Sequence, residues 1–280
     1  MTSPMTLLTA WNLHPKKQLG QNFLKDPSVT KMIAERSGIS PDDTVLEIGA
    51  GLGALTIPVS KIAKKVYAVE KDPELLSLLK TELLANQLSN VLLIGEDILK
   101  LDINDTAEKE GCRLIVIGNL PYNISSQVLV QLIHSRNAVE RAVLMFQKEL
   151  AERLTAHTGC KDYGRITVML RYCSEIISLA KLNSSLFFPR PAVDSEVIEI
   201  KFRDIPNPAK NEAFLFKVIK ASFGQRRKTL KNALSGSELR MDASIVHQIL
   251  ERSGIDPSRR AETLTVEEFV RLSDNLYDAI

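Results

Sequence analysis

Long apolar runs, paired cysteines and charge of one sign are all scarce in this 280-residue chain, and each scarcity excludes something. No apolar segment approaches the roughly 20 residues needed to span a bilayer. Met1–Leu13 is mixed in character and runs into His14-Pro15-Lys16-Lys17, without the apolar core and small-residue cleavage site of a secretory signal. The three cysteines, Cys112, Cys160 and Cys173, form no C-x-x-C pair and no metal-ligand spacing. Reduced thiols, no bound metal and a cytoplasmic location are therefore expected. The 36 basic and 34 acidic side chains leave a net charge of +2, so any surface for a polyanion has to come from local clustering. Internal repeats and low-complexity tracts are missing too.

What is present is a regular alternation. Thr44–Ile48, Lys65–Val69, Val91–Ile94, Arg113–Ile117 and Ala142–Phe146 are short apolar runs that read as strands. Between them lie helical patterns: Leu55–Ala63, then Pro73–Asn86 with Leu75, Leu76, Leu79 and Leu83 at helical spacing and Pro at its first turn, then Ser125–Ser135. Strands alternating with helices imply βαβ units and a mostly parallel α/β sheet, and nearly continuous apolar strands imply helices on both faces. Ile166–Tyr172, Ile176–Ala180 and Val197–Phe202 then follow with little helix between them, which predicts an antiparallel edge. The Pro-containing stretch Arg203–Lys210 reads as a linker, and about four helices follow it, the last opened by a Thr265-x-x-Glu268 capping box. Two domains are expected: 1–205, an α/β domain with an N-terminal arm, and 206–280, small and all-helical.

Glu47-Ile48-Gly49-Ala50-Gly51-Leu52-Gly53 sits where the first strand gives way to the first helix. Glycines there let the chain turn sharply and a ligand approach the main chain at the carboxyl edge of the sheet. Gly49-x-Gly51-x-x-Ala54 also fits a dinucleotide fingerprint, so the glycines alone leave NAD and S-adenosylmethionine both open. The strand-end acids favour the second. Glu70, about 20 residues on, can accept ribose hydroxyls from either cofactor. Asp97 after the third strand can accept a hydrogen bond from an adenine amine. Glu47 is expected to repel a pyrophosphate and to tolerate a sulfonium.

The fourth strand runs into Asn119-Leu120-Pro121-Tyr122. An exocyclic adenine amine is a poor nucleophile because its lone pair is delocalised into the ring. Acceptors for its hydrogens, here the Asn119 side-chain oxygen and the Leu120 carbonyl, pull the nitrogen toward tetrahedral geometry. Pro121 donates no N–H and biases Leu120 toward an extended conformation that aims its carbonyl. Tyr122 offers a face for an unstacked base, and Phe187 is read as closing the other face, while core packing is the expected fate of one of Phe187 and Phe188.

The Glu-x-Gly-x-Gly strand end followed by Asn-Leu-Pro-Tyr resembles the ribosomal RNA adenine dimethylases. The resemblance extends to Gln21-Asn22-Phe23-Leu24, to Phe187-x-Pro189-x-Pro191-x-Val193-Asp194-Ser195 and to Phe223-Gly224-Gln225-Arg226-Arg227-Lys228-Thr229-Leu230-Lys231-Asn232. It is closer to the small-subunit type than to the macrolide-resistance methylases, which are expected to share only the first part well. It implies a Rossmann-like class I methyltransferase sheet and S-adenosylmethionine as methyl donor, with S-adenosylhomocysteine as product. It also implies dimethylation of two adjacent adenosines in the 3′-terminal hairpin of small-subunit rRNA. The implied donor-binding residues are Asn22, Leu24, Gly49, Glu70, Asp97 and Asn119, to which the glycine argument adds Gly51.

Arg226, Arg227, Lys228 and Lys231 cluster without an intervening acid, and a helix would put Arg227 and Lys231 on one face. With Lys16 and Lys17 they are the expected contacts to RNA in the small ribosomal subunit. A monomer with no membrane partner is expected. Two other readings stand beside this one. An NAD(P)-dependent oxidoreductase would explain Gly49–Ala54 and Glu70 but gives no role to Asp97 or Asn119–Tyr122. A non-catalytic RNA-binding assembly factor leaves the intact Asn119–Tyr122 unexplained.

Overall fold

The computed structural model describes residues 3–279, and among them nine strands. Two of these, β1 (Phe23–Leu24) and β8 (Phe187–Phe188), form a small antiparallel pair. The other seven form one sheet. They are β2 (Thr44–Ile48), β3 (Lys65–Val69), β4 (Val91–Ile94), β5 (Leu114–Asn119), β6 (Val139–Gln147), β7 (Ser174–Leu182) and β9 (Ser195–Phe202), in the spatial order β4-β3-β2-β5-β6-β9-β7. The pairs β3–β4, β2–β3, β2–β5 and β5–β6 are parallel, and β9 joins β6 antiparallel. The expected α/β architecture, mostly parallel with an antiparallel end, is present.

Local sequence accounts for the elements. All five residues of β2 are buried, as a central strand covered on both faces requires. The helix Pro73–Ala85 opens with Pro behind an Asp72 cap whose side chain accepts the Glu74 N–H, and it buries Leu75, Leu78, Leu79 and Leu83. Leu78 takes the place in the stripe that the sequence pattern gave to Leu76, which is half-buried.

The chain divides into two compact units. The first comprises the stretch up to Ala151 with Ile176–Phe202, and the second comprises Glu152–Glu175 with the stretch from Arg203 onward. The second unit's main run thus begins close to the expected boundary, but it also takes in Glu152–Glu175, which the sequence reading placed in the first domain. Within that segment, Ile166–Tyr172 is not an edge strand. It lies in the helix Arg165–Cys173, which buries six of its nine residues, with Arg165 exposed and Ile166 and Arg171 half-buried. Four further helices follow, Glu212–Phe223, Leu230–Ser235, Ala243–Arg252 and Val266–Tyr277, the last with its Thr265/Glu268 capping box formed. Phe223 stacks on Phe269 with ring centroids 5.8 Å apart. The basic cluster is not helical as expected. The helix ends at Phe223 and the next begins after Thr229, so Arg226, Arg227 and Lys228 lie on an exposed turn while Lys231 is in the following helix.

One position in the sheet admits no side chain. A Cβ on Gly118 in β5 would lie 2.6 Å from the Ile48 carbonyl oxygen on β2, which it pairs with. Gly118→Ala is expected to wedge these strands apart and cost about 1–3 kcal/mol. Urea denaturation followed by circular dichroism checks this, as a midpoint shifted down at unchanged slope.

Candidate active site

The strand order reverses between β2 and β5, because the chain builds outward to β3 and β4 and then returns to lay β5 on the other side of β2. No connection covers the carboxyl ends there, and a crevice forms at such a switch point. The crevice is lined by residues 18–24, by Glu47–Leu52, by Val69–Lys71, by Glu96–Ile98 and by Asn119–Ile124. Among the residues expected in the site, Asn22, Leu24, Gly49, Gly51, Glu70, Asp97, Asn119, Leu120, Pro121 and Tyr122 all line it.

The loop after β2 folds over the end of β3, with the N–H groups of Gly49 and Ala50 donating to the Val69 carbonyl at 2.9 and 3.0 Å. Gly51 has φ +54°, and a Cβ there would also press to 3.3 Å from the Phe23 ring, so both backbone and space require glycine. Its N–H donates to Glu70 Oε2 at 2.8 Å, and the Asp72 N–H donates to Glu70 Oε1 at 2.8 Å. Glu70 is thereby held rigidly at the end of β3, although burial pushes its carboxyl above the usual range. Asp97 is the opposite case. The Lys71 ammonium at 2.8 Å from Oδ2 holds it below the usual range.

Asn119 ends β5. Its Nδ2 donates to the Asn22 carbonyl at 2.8 Å, and this orients the amide with Oδ1 as the remaining acceptor. Tyr122 is half-buried, which raises its phenol, and its hydroxyl lies 3.4 Å from Ser195 Oγ.

Four expectations change. Glu47 is buried in the crevice wall, and burial first, with Glu70 adding, raises its carboxyl to about 8. It is therefore neutral at ordinary pH and does not repel an anion as a charge would. Its Oε2 is buried without a hydrogen-bond partner, so the wall of the crevice carries an unsatisfied oxygen that a hydrogen-bonding ligand group could meet. Phe187 is 1% exposed and sits in the hydrophobic core with Leu24, its partner across β1–β8, instead of lining the crevice. Phe188 beside it is only half-buried and packs with Leu7, Leu8, Phe23, Leu52, Leu75 and Leu78. Lys16 is engaged internally by Asp72 at 2.8 Å and Glu74 at 2.5 Å, whose carboxylates balance its charge, while Lys17 stays exposed. Arg226, on its turn, donates to the Lys161 carbonyl, and Arg227 and Lys228 are exposed.

Sequence reasoning missed several contributors. The β1–β8 pairing joins the Asn22–Leu24 arm to the Phe187 motif, 164 residues apart by the numbering of Phe23 and Phe187, and no local pattern announces it. Asp194, inside the Phe187–Ser195 motif, accepts the Ser184 N–H at 2.8 Å and braces the preceding turn. Among the described residues, no group of His, Cys, Asp and Glu is arranged to hold a metal ion, and no helix is long and apolar enough to cross a membrane.

Comparison with known proteins agrees with this geometry. Residues 12–272 match the model of the family described as ribosomal RNA adenine dimethylase. A ribosomal RNA small subunit methyltransferase A of Desulforapulum autotrophicum is 54% identical over 99% of this chain and 97% of its own length. A dimethyladenosine transferase from Plasmodium falciparum superposes with a TM-score of 0.76 at 26% identity, over 89% of this chain and 95% of that one. The 23S rRNA methyltransferase ErmE superposes with a TM-score of 0.67 at 25% identity, over 91% and 99%.

The Glu47 carboxyl predicts a pH signature. Its pKa is about 8 when folded against 4.5 unperturbed, so its contribution to stability is fully present below pH 4.5 and is lost as pH rises toward 8. Glu47→Gln removes the titration. Its melting temperature is expected to exceed that of the parent near pH 8, with the gap closing toward pH 4.5. A gap that stays constant with pH in calorimetric melts would contradict this assignment.

Proposed function

Taking as premise that the chain belongs to the ribosomal RNA adenine dimethylase family, we propose that it methylates the N6 amines of two adjacent adenosines in the 3′-terminal hairpin of small-subunit rRNA, using S-adenosylmethionine. The product is N6,N6-dimethyladenosine, formed in the cytoplasm during ribosome biogenesis. The observation that carries the reading is the Asn119 amide, fixed through Nδ2 by the Asn22 carbonyl at the open end of β5.

The methyl donor, when bound, supplies an electrophilic methyl group on a sulfonium, so no strong general base is needed. The glycine turn beside Glu70 leaves the main chain open to such a group, and the unpartnered Glu47 Oε2 in the wall could accept a hydrogen bond from its ammonium. Glu70 would hold its ribose hydroxyls and Asp97 its adenine amine, with Asn22, Leu24, Gly49 and Gly51 forming the walls. Toward the substrate, Asn119 Oδ1 and the Leu120 carbonyl accept the amine hydrogens and free the nitrogen lone pair. Pro121 keeps Leu120 extended, and Tyr122 supplies a stacking face. Catalysis then rests on orientation and electrostatics. The second face of the base is not assigned to Phe187, whose ring is enclosed in the core.

The exposed turn bearing Arg226, Arg227 and Lys228, with Lys231 beyond it, is proposed to contact RNA phosphates, with Lys17 as a further contact. An oxidoreductase reading gives no role to Asn119–Tyr122 and is set aside.

Two measurements check the reading. Asn119→Ala is expected to lower methyl transfer to undermethylated small subunits by about 100-fold or more while leaving particle binding intact. Undiminished transfer would remove Asn119 from the reaction centre. Arg226→Ala with Arg227→Ala is expected to weaken subunit binding and to flatten its dependence on salt. Affinity unchanged at both low and high salt would exclude the turn from the interface.

A further inference from the structure

Gln21 makes a set of bonds that the reaction as described does not use. Its side-chain oxygen accepts the Lys16 backbone N–H at 2.8 Å, and its Nε2 donates to Asp72 Oδ2 at 2.9 Å. Asp72 is a rigid anchor. It is 2% exposed, it caps the helix Pro73–Ala85, its Oδ1 accepts the Lys16 ammonium at 2.8 Å, and its N–H donates to Glu70 Oε1. The residue after Gln21 is Asn22, whose carbonyl holds Asn119 Nδ2. A continuous series of bonds thus runs from the Glu70 carboxylate, through Asp72 and Gln21, to the amide at the end of β5.

The chemistry of each link is specific. An ionised carboxylate only accepts, so whatever fastens the arm to Asp72 Oδ2 must donate. Gln21 must at the same time accept from Lys16, and an uncharged amide does both. If this fastening slackens, the Asn22 carbonyl moves with the next peptide unit. The Asn119 amide then loses its Nδ2 partner, and its last torsion is broad and roughly two-fold. A half-turn about that torsion exchanges Oδ1 for Nδ2 and presents a donor to an amine that needs an acceptor.

We propose that Gln21 is a positioning residue for methyl transfer, fastening the arm to Asp72 so that the Asn22 carbonyl holds the Asn119 amide with its oxygen toward the substrate amine. The inference rests on the reading of Asn119 as that acceptor.

The test uses the full chain, undermethylated small subunits and labelled S-adenosylmethionine. Gln21→Glu sets two carboxylates against each other. Its kcat is expected to fall about 10- to 100-fold, while Kd for S-adenosylhomocysteine, measured by calorimetry, rises by a clearly smaller factor, because Leu24 stays paired with Phe187 across β1–β8. Adding Asp72→Asn restores a donor opposite an acceptor, with the polarity exchanged. The double variant is expected to recover kcat to within about threefold of the parent. The proposal is overturned if the single variant keeps its kcat, if kcat and Kd worsen equally, or if the double variant melts like the parent without recovering kcat. If Asn119→Ala itself retains methylation, the underlying reading fails whatever Gln21 does.

Discussion

β2 and β5 lie side by side, and the order of the parallel strands reverses between them, so no crossover helix can lie above their carboxyl ends. The rest of the site depends on this constraint. It brings the turn after β2 and the Asn119–Tyr122 segment after β5 to one opening, though some 70 residues separate them in the chain. Close approach of the two strands is required for this, and Gly118 permits it by having no side chain to set against Ile48. The β1–β8 pair then anchors the Asn22–Leu24 arm, and the Asn22 carbonyl meets the Asn119 amide.

The opening is costly to keep. It holds two buried carboxyls, Glu47 and Glu70, both raised by burial, and Glu47 Oε2 has no partner. An unsatisfied buried polar group destabilises a fold. The surrounding structure offsets this with fixed donors. The N–H groups of Gly51 and Asp72 both point at Glu70, and the Lys71 ammonium keeps Asp97 ionised. The site is therefore arranged before any ligand arrives, as electrostatic catalysis requires.

Much of this was legible in the sequence. Strands β2, β3 and β5 show as apolar runs because both faces of each are covered, and the glycine turn and Asn119–Tyr122 stand at strand ends where the topology puts ligands. Three kinds of information were not legible. Non-local pairing was one: nothing in Phe23 or Phe187 announces that their strands meet, and so Phe187 was read as facing a base when its ring fills the core. A mostly buried helix was another. Ile166–Tyr172 is rich in β-branched and aromatic residues with only Arg171 charged among them, and it reads as a strand until its neighbours are known. The third was the state of a charge. Glu47 looks anionic in sequence, and Lys16 looks free, yet burial neutralises one and Asp72 and Glu74 engage the other. The basic turn does carry a readable signal, since Gly224 follows the helix end and Thr229 stands just before the next helix.

The central claim is that one opening at the β2–β5 switch delivers methyl groups to the exocyclic amine of adenine. Small subunits lacking the modification, incubated with the protein and labelled S-adenosylmethionine, can be digested to nucleosides and resolved by mass spectrometry. The account predicts that label accumulates in N6,N6-dimethyladenosine from the 3′-terminal hairpin. Label confined to another nucleoside, or none incorporated by folded protein, would contradict it.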